Sequence, residues 1–262
     1  MGSTAAAKAR IVQLLDVVDP VRMRLLVRMA EAFATELQST VNSQAGLLTP
    51  NLAAALGAQL LLHHATHDEK LNKKTFEYIL KYACEAAGLT VTINPNPTNS
   101  AEDVNIAGVR YSLKTQADSN ITRRAAYIQK LMEARWIRDH SDRDALAKAA
   151  RTRIMAHLSN YERMLMLRAF DEGGTAYRYE LLEIPLAVLR LVGDLPNSAF
   201  SEKNRYGSSG AVVQDERGTA FRLLLDGSVE KVRVFNLRTD RCVLHAEWVI
   251  PRRVYSGGAV EQ

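Results

Sequence analysis

The stretch that decides the fold is Asp103-Val-Asn-Ile-Ala-Gly-Val-Arg-Tyr-Ser-Leu-Lys114, in which polar and apolar side chains alternate on both sides of Ala107-Gly108. A two-residue connection that contains Gly is the commonest hairpin loop, so we predict a tight turn between two short antiparallel strands. Counting outward from this turn gives the pairs Ile106 with Val109, Asn105 with Arg110, Val104 with Tyr111, and Asp103 with Ser112.

Alternation along the strands gives the predicted hairpin two different faces, because successive side chains point to opposite sides of a sheet. The apolar face consists of Val104, Ile106, Val109, Tyr111 and Leu113. The polar face consists of Asp103, Asn105, Arg110, Ser112, Lys114 and Gln116. Opposed Cβ atoms lie about 5 Å apart and diagonal ones about 7–8 Å, so we expect the Asp103 carboxylate and the Lys114 ammonium to act on one bound group. A shift of one residue in the register would destroy this arrangement.

Capping signals and apolar periodicity predict a helical N-terminal part. Asp19-Pro20 and Thr49-Pro50 each combine an N-cap residue with Pro at the first helical position, and the second of these helices is expected to extend through His64. A third helix is predicted over residues 71–87, where Gly88 ends it.

The remaining elements predict an α/β fold with a mixed central β-sheet flanked by helices. A strand is predicted at residues 89–93, a helical segment at 121–160, two antiparallel strands at 163–170 and 175–184, and short strands at 211–250. We expect a single domain over residues 1–262. Its predicted parts are a helical N-terminal part at 1–69, a core at 70–185 and a β-rich C-terminal part at 186–262.

Composition favours an anionic partner. The chain has 262 residues, 47% of them hydrophobic, with a formal net charge of +5. Cys84 and Cys242 have neither metal-ligand spacing nor a disulfide pattern, which fits a reducing compartment. No apolar run approaches the ~20 residues of a membrane span, and no leader pattern precedes Arg10. We therefore expect a cytoplasmic protein, for which nucleic acid is a plausible partner.

The polar face of the hairpin is suited to phosphodiester hydrolysis assisted by Mg²⁺, an ion that prefers carboxylate and other oxygen ligands. Asp103 is the predicted ligand, the Leu113 carbonyl is a candidate second ligand, and Lys114 is placed to orient water or to stabilise developing charge. A second carboxylate would be expected where Ser112 stands, and Glu77 on the preceding helix is its predicted substitute. Gln116 continues the same face and is expected to contact backbone or water. The predicted catalytic set is Asp103, Lys114, Glu77, Ser112 and Gln116.

The same residues also allow simpler interpretations. One such interpretation of Asp103 and Lys114 is an ordinary surface ion pair, which contributes little to stability. Glu77 has Lys73, Lys74 and Lys81 at helical spacing as partners. Ser112 is expected to be a neutral spacer and not a nucleophile, because no histidine is predicted beside it to act as its general base.

In order and spacing, the chain resembles the PD-(D/E)XK nuclease superfamily: a helix with Glu77, a strand, a hairpin with Asp103, a strand ending Ser112-Leu-Lys114, and a helix. Glu102 replaces the usual Pro before the Asp, and Ser112 replaces the usual second acid. Within the superfamily, residues 160–170 and 177–185 resemble the strand pair of type II restriction endonucleases. The segments His63-His64, Ser112-Leu-Lys-Thr-Gln116 and Asn160-Tyr-Glu-Arg163 resemble Sma-type enzymes, which cut CCCGGG.

The resemblance implies a restriction-endonuclease-like fold, Mg²⁺ as cofactor and double-stranded DNA as substrate. It implies metal binding by Asp103 and Glu77, and a role near the attacking water for Lys114. A palindromic target also implies a homodimer with one centre for each DNA strand. A DNA-repair or junction-resolving nuclease, and a non-catalytic DNA-binding protein of the same fold, remain as alternatives.

Sequence readout requires side chains that reach base edges, typically Arg or Lys for guanine and Asn or Gln for adenine. The polar segment at residues 201–210 predicts a DNA-facing loop, although an ordinary linker has a similar composition. The predicted DNA-binding residues are Arg123, Arg124, Lys203, Asn204, Arg205, Tyr206, Arg238 and Arg241. The arginines of residues 123–138 fit either a phosphate track or the solvated side of an amphipathic helix.

Overall fold

The computed structural model describes residues 4–94 and 102–252, which form helices and two β-sheets. The α-helices are α1 (Thr4–Leu15), α2 (Pro20–Ala34), α3 (Pro50–Thr66), α4 (Lys73–Ala86), α5 (Arg143–Leu158) and α6 (Leu186–Arg190). Short 3-10 helices occupy Ser43–Ala45, Arg135–Asp139, Leu191–Asp194, Asn197–Ala199 and Thr239–Arg241.

The strands divide between a seven-stranded and a four-stranded sheet. Along the chain they are β1 (Gln38–Val41), β2 (Val91–Ile93), β3 (Val104–Ile106), β4 (Val109–Gln116), β5 (Ala125–Glu133), β6 (Arg163–Glu172), β7 (Ala176–Glu183), β8 (Ser209–Asp215), β9 (Gly218–Asp226), β10 (Lys231–Arg238) and β11 (Val243–Pro251). The large sheet has the order β1-β11-β7-β6-β4-β3-β2, and the small sheet has the order β5-β10-β9-β8.

The large sheet is mixed, as predicted, because β4 and β6 are parallel while its other strand pairs are antiparallel. The chain between β4 and β6 contains β5 and α5, and this crossover returns it in the same direction. The hairpin strand β4 therefore lies between β3, which pairs with residues 109–111, and β6, which pairs with residues 111–116.

Helices and the second sheet cover opposite faces of the large sheet. On one face, α3 and α4 pack on the predicted apolar side of the hairpin, where Val104, Tyr111 and Leu113 are buried. On the other face, α5 and the four-stranded sheet pack against Met164 and Met166 of β6. The α/β architecture with a helical N-terminus and a strand-rich C-terminal part is thus confirmed.

The predicted helix starts are confirmed by their caps. The Asp19 carboxylate accepts hydrogen bonds from the backbone N–H groups of Val21 and Arg22, and Pro20 begins α2. The Thr49 hydroxyl accepts from the N–H of Leu52 at 3.2 Å. These bonds satisfy N–H groups that have no partner inside the helix.

Two secondary-structure expectations were wrong. Residues 121–160 are not helical throughout, because residues 125–133 form β5 before α5 begins. The segment Gln129-Lys-Leu-Met-Glu133 favours helix by propensity, but Ala126 and Ile128 are buried by pairing with β10, and this long-range pairing overrides the local preference. The N-terminal part also contributes β1, which extends the large sheet beside β11.

Candidate active site

The hairpin turn sets the geometry of the site. Ala107 and Gly108 both have positive φ angles, 49° and 88°, as the commonest two-residue hairpin turn requires. The Gly108 N–H donates to the Asn105 side chain at 2.9 Å. The register is the predicted one, with Asn105 opposite Arg110.

Asp103, Ser112 and Lys114 meet on one face of the sheet. The Ser112 hydroxyl donates to Asp103 Oδ2 at 3.2 Å, and Lys114 Nζ donates to Ser112 Oγ at 3.0 Å. Ser112 is only 3% exposed. The hydroxyl therefore links the carboxylate and the ammonium in a continuous hydrogen-bonded row, and the simpler picture of an exposed surface ion pair does not describe this cluster.

The Leu113 backbone lies at the same carboxylate. Its N–H donates to Asp103 Oδ2 at 2.6 Å, and the Asp103 N–H donates to the Tyr111 carbonyl at 2.8 Å. In an extended strand, the N–H and C=O of one residue point to the same side. The Leu113 carbonyl therefore also faces the edge where Asp103 lies.

Glu77 reaches this cluster through a lysine of its own helix. Lys73 Nζ lies 2.6 Å from Asp103 Oδ1 and 3.7 Å from Glu77 Oε1. Glu77 thus makes the helical ion pair that its spacing allowed and also lies beside Asp103. The sequence suggested Lys73 only as a helical partner of Glu77, whereas its contact with Asp103 depends on how α4 packs against the hairpin.

The charges of the cluster shift one another's pKa values. Burial acts to raise the pKa of Asp103, but the positive charges of Lys114 and Lys73 outweigh it and the pKa is lowered. Desolvation lowers the pKa of Lys114 to about 8, although Asp103 opposes the change. Burial raises the pKa of Glu77, and the Asp103 carboxylate adds to this effect while Lys73 opposes it.

The donor set can be compared with the needs of a hard cation. Asp103, Glu77 and the Leu113 carbonyl offer oxygen atoms only, which is the chemistry that Mg²⁺ prefers. The Lys73 ammonium lies between the two carboxylates, so positive charge is favoured at this point. Across residues 4–94 and 102–252, no group of three or more His, Cys, Asp or Glu side chains could hold a metal ion. The three oxygen donors therefore fit a hard cation, and two of them are carboxylates.

Comparison with known proteins identifies the family. The family model SmaI, described as type II site-specific deoxyribonuclease, matches residues 23–250 of the chain. The chain belongs to this family. The type II restriction enzyme SmaI of Serratia marcescens is 26% identical over 222 residues, which cover 82% of this chain and 86% of the relative. No solved structure matches the chain.

Membership in the SmaI family makes the chain a type II site-specific deoxyribonuclease, so it acts on double-stranded DNA. Within the described ranges, no helix is long and apolar enough to span a membrane. For this enzyme, the row Asp103–Ser112–Lys114 is the candidate active site.

Two aromatic residues near the row were not predicted. Tyr161, which follows α5, is 2% exposed, and its pKa is raised by burial and by the Asp103 charge. Desolvation and the nearby Lys114 lower the pKa of His157 to about 4, so its ring is neutral at neutral pH. The two rings are edge to face with centroids 5.5 Å apart. Tyr161 belongs to a segment that carried the family resemblance, but only the folded chain brings it to Asp103.

Gln116 has a structural environment distinct from the row. Its Oε1 accepts from the Tyr127 N–H at 3.3 Å and from Arg168 Nε at 3.2 Å. Arg168 is fully buried and also pairs with Glu180 at 3.0 Å. Gln116 contacts backbone, as expected, and ties β4 to β5; no contact brings it to Asp103.

The predicted DNA-facing loop is more ordered than its composition suggested. Asn204 Oδ1 accepts from the N–H groups of Tyr206 and Ser208, and Lys203 Nζ donates to the Ile137 carbonyl at 2.6 Å. These two side chains are engaged in holding the loop. Arg205 lies over the Tyr206 ring at 4.6 Å, and Tyr206 is 59% exposed, so this pair is accessible to a partner.

The other predicted DNA contacts differ in their availability. Arg124 is exposed, whereas Arg123, 53% exposed, pairs with Glu180 and Glu247. Arg238 is exposed and pairs with an aspartate, Asp240, at 2.9 Å.

Arg241 is a correction to the predicted DNA contacts. Its side chain is 3% exposed and forms ion pairs with Asp215 and Asp240. A guanidinium enclosed in this way has no free edge to present to a base or phosphate. Arg241 instead joins the end of β8 to the short helix Thr239–Arg241.

Proposed function

We propose that this deoxyribonuclease is a Mg²⁺-dependent restriction endonuclease of the PD-(D/E)XK type that cuts double-stranded DNA at a palindromic GC-rich site, CCCGGG. The observation that carries the proposal is the row of Asp103, Ser112 and Lys114 on one sheet face, with the Leu113 carbonyl directed to the same edge. The target sequence is supported by the resemblance to Sma-type enzymes.

Asp103, Glu77 and the Leu113 carbonyl are the groups that would hold Mg²⁺. When bound, the ion supplies charge neutralisation and makes water a better nucleophile. Because Lys73 contacts both carboxylates, its ammonium must move before another cation can take the same oxygen atoms. Until then, the Lys73 ammonium reduces the repulsion between the Asp103 and Glu77 carboxylates.

Lys114 supplies a positive charge and a proton beside the scissile phosphate. With a pKa of about 8 it is mostly protonated at neutral pH and can stabilise charge that develops on phosphoryl oxygens. Ser112 holds Nζ in place by accepting its hydrogen bond at 3.0 Å. Ser112 thus positions both charged groups and replaces a second acid without adding negative charge.

We propose a homodimer formed through α1 and α2. None of the described residues of α1 is buried, and in α2 only Ala32 is. Large apolar side chains are exposed on and between these helices: Ile11, Val12, Leu14, Val17, Val21, Leu25, Leu26, Val27 and Phe33. Large exposed apolar patches are uncommon on monomers and mark sites of interaction with other proteins. A second copy on this surface would supply one centre for each strand of a palindrome.

Digestion of a plasmid of known sequence tests the enzymatic proposal. With Mg²⁺ we expect discrete fragments whose ends map to CCCGGG, and with EDTA in place of Mg²⁺ we expect intact DNA. Asp103→Asn should abolish cutting, while Arg217→Ala, at an exposed turn, should cut normally. Cutting confined to branched substrates would favour a repair nuclease, and equal cutting by wild type and Asp103→Asn would reject the site.

Sedimentation analysis tests the dimer. We expect a mass of twice 29.1 kDa for the wild type and a monomer for the double variant Val12→Glu/Leu25→Glu. The matched control is Val229→Glu, which adds charge at a side chain that is 47% exposed elsewhere in the fold. A wild-type monomer, or an intact dimer in the double variant, would contradict the proposal.

A further inference from the structure

The four-stranded sheet has one open face beside the candidate active site. Its buried face carries side chains such as Ile128 and Val234, and strand alternation places Tyr127, Arg233, Phe235, Arg222, Leu224 and Val212 on the opposite side. We refer to these six residues as the outer face. Phe235 lies opposite Arg222, which lies opposite Val212, so a continuous row crosses three strands.

Aromatic rings and guanidinium groups meet on the outer face. The rings of Tyr127 and Phe235 are stacked with centroids 4.4 Å apart. The Arg233 guanidinium lies 5.3 Å from each centroid and is anchored to Asp226 at 2.8 Å. Arg222, in the neighbouring strand, is exposed. The exposed Arg222 gives this face a positive charge, which attracts the phosphate backbone of DNA.

A β-bulge in β10 turns Asn236 outward. Val234 pairs with Ile128 and Leu237 pairs with Ala126, so β10 has one extra residue here. By alternation, residue 236 would point into the core. The bulge places Leu237 there instead and leaves Asn236 exposed, with φ 52°. This left-handed conformation is strained for a residue other than Gly.

Two clefts meet at this bulge. One, of about 620 Å³, includes Arg222 in its lining, and the other, of about 440 Å³, includes Gln116; Phe235 and Asn236 line both. Within the described part of the chain, no hydrogen bond or ion pair engages the side chain of Asn236 or Arg222. This contrasts with Asn204, whose side chain holds its own loop. The outward, unpartnered amide is not needed by the fold around it.

The smaller cleft is connected to the catalytic row through β4, which contributes Gln116 to the cleft and Lys114 to the row. Gln116 is two residues beyond Lys114 on β4, which corresponds to about 7 Å along the strand and the same face. Its bond to the Tyr127 N–H couples β4 to β5. Successive base pairs are about 3.4 Å apart, so this separation corresponds to about two base-pair steps.

We propose that Asn236 and Arg222 contact base edges of the target duplex and determine its sequence. The inference rests on the proposed cleavage of a specific DNA site. A guanidinium can donate two hydrogen bonds to O6 and N7 of guanine, and a carboxamide can accept from the cytosine amino group or donate to guanine O6. The outer face therefore presents the donors and acceptor that a GC-rich site requires.

Binding measurements in Ca²⁺, which slows cleavage so that complexes can be observed, test this inference. Fluorescence anisotropy compares a duplex with the site mapped from the wild-type digest and a duplex with one changed base pair. We expect Arg222→Ala and Asn236→Ala each to weaken binding of the first duplex about 10- to 100-fold and to leave binding of the changed duplex within about threefold. The control Arg217→Ala removes one charge from the same sheet and should preserve the ratio.

Asn236→Gly separates base contact from folding. Glycine adopts the positive φ without strain, so the thermal stability of the variant should equal or exceed that of the wild type. The variant should nevertheless lose its preference for the mapped site over the changed duplex. An unchanged ratio between the two duplexes in both Arg222→Ala and Asn236→Gly would overturn the inference. If the wild type itself does not cut DNA at a specific site, the proposed function fails instead, so the two failures are distinguishable.

Discussion

Replacing Lys114 by Met should inactivate the enzyme and yet make the metal-free protein more stable at pH 7. The surrounding protein lowers the pKa of Lys114 from 10.5 to about 8. This difference corresponds to about 3 kcal/mol of destabilisation of the folded state by the protonated side chain. Methionine has a similar length and no charge, and it removes this penalty.

The pH dependence has a definite sign. Between pH 8 and pH 10.5 the unfolded chain binds a proton at Lys114 and the folded chain does not, so the wild type gains stability as the pH rises. Below pH 8 both states are protonated and the full cost is present. The advantage of the methionine variant should therefore be largest at pH 7, fall to about 1 kcal/mol at pH 9.5 and approach zero near pH 10.5.

The loss of the ammonium also affects Asp103. The pKa of about 8 already contains the attraction between Lys114 and Asp103, and the Asp103 carboxylate keeps Lys73 at 2.6 Å and the Leu113 N–H at 2.6 Å. The net gain is therefore about 3 kcal/mol, which for a chain of this size raises Tm by roughly 6–12 °C. Removal of a charged group at the reacting phosphate should lower the cleavage rate about 10²- to 10⁴-fold.

Thermal unfolding followed by circular dichroism in EDTA at pH 7 and pH 9.5 measures these effects. Lys130→Met is the matched control, because Lys130 is 52% exposed and pairs with Glu133 at the surface. We expect its free energy of unfolding to stay within about 0.5 kcal/mol of wild type. A Lys114→Met protein that is less stable than wild type at pH 7, or equally shifted at both pH values, would refute the reasoning.

Three further predictions concern other parts of the fold. Arg168→Met should reduce the free energy of unfolding by about 3–5 kcal/mol in urea titrations, because it leaves the buried Glu180 without one of its cationic partners; a loss under 1 kcal/mol would contradict this. Gly108→Ala should cost about 1 kcal/mol, measured in the same way, since φ is 88° there; no change would mean that the turn is not strained by a Cβ. Lys73→Met should tighten Mn²⁺ binding in calorimetric titrations, because the ammonium no longer competes for Asp103, and weaker binding would show that Lys73 does not compete.

Local sequence rules predicted the hairpin well. The two-residue turn at Ala107-Gly108 and strict alternation determine which side chains share a face, and both are properties of neighbouring residues. Asp103 and Lys114 therefore came together as expected. Helix caps at Asp19 and Thr49 are equally local and were also predicted.

Contacts between distant segments explain the errors. Residues 125–133 contain good helix formers, and only the pairing with β10 makes them a strand. Arg241 lies in a polar stretch that suggested exposure, yet two aspartates, one of them 26 residues away in sequence, enclose it. Propensity and composition describe one segment at a time, so neither could reveal these partners.

By itself, the sequence determined the hairpin, the face that carries Asp103, Ser112 and Lys114, and the α/β class, because each follows from the period of a strand or helix. Three features required the packed chain: Lys73 contacts Asp103, Tyr161 lies beside the catalytic row, and a bulge turns Asn236 outward. These features depend on how α4, α5 and the second sheet pack against the hairpin, and packing is a property of the whole chain.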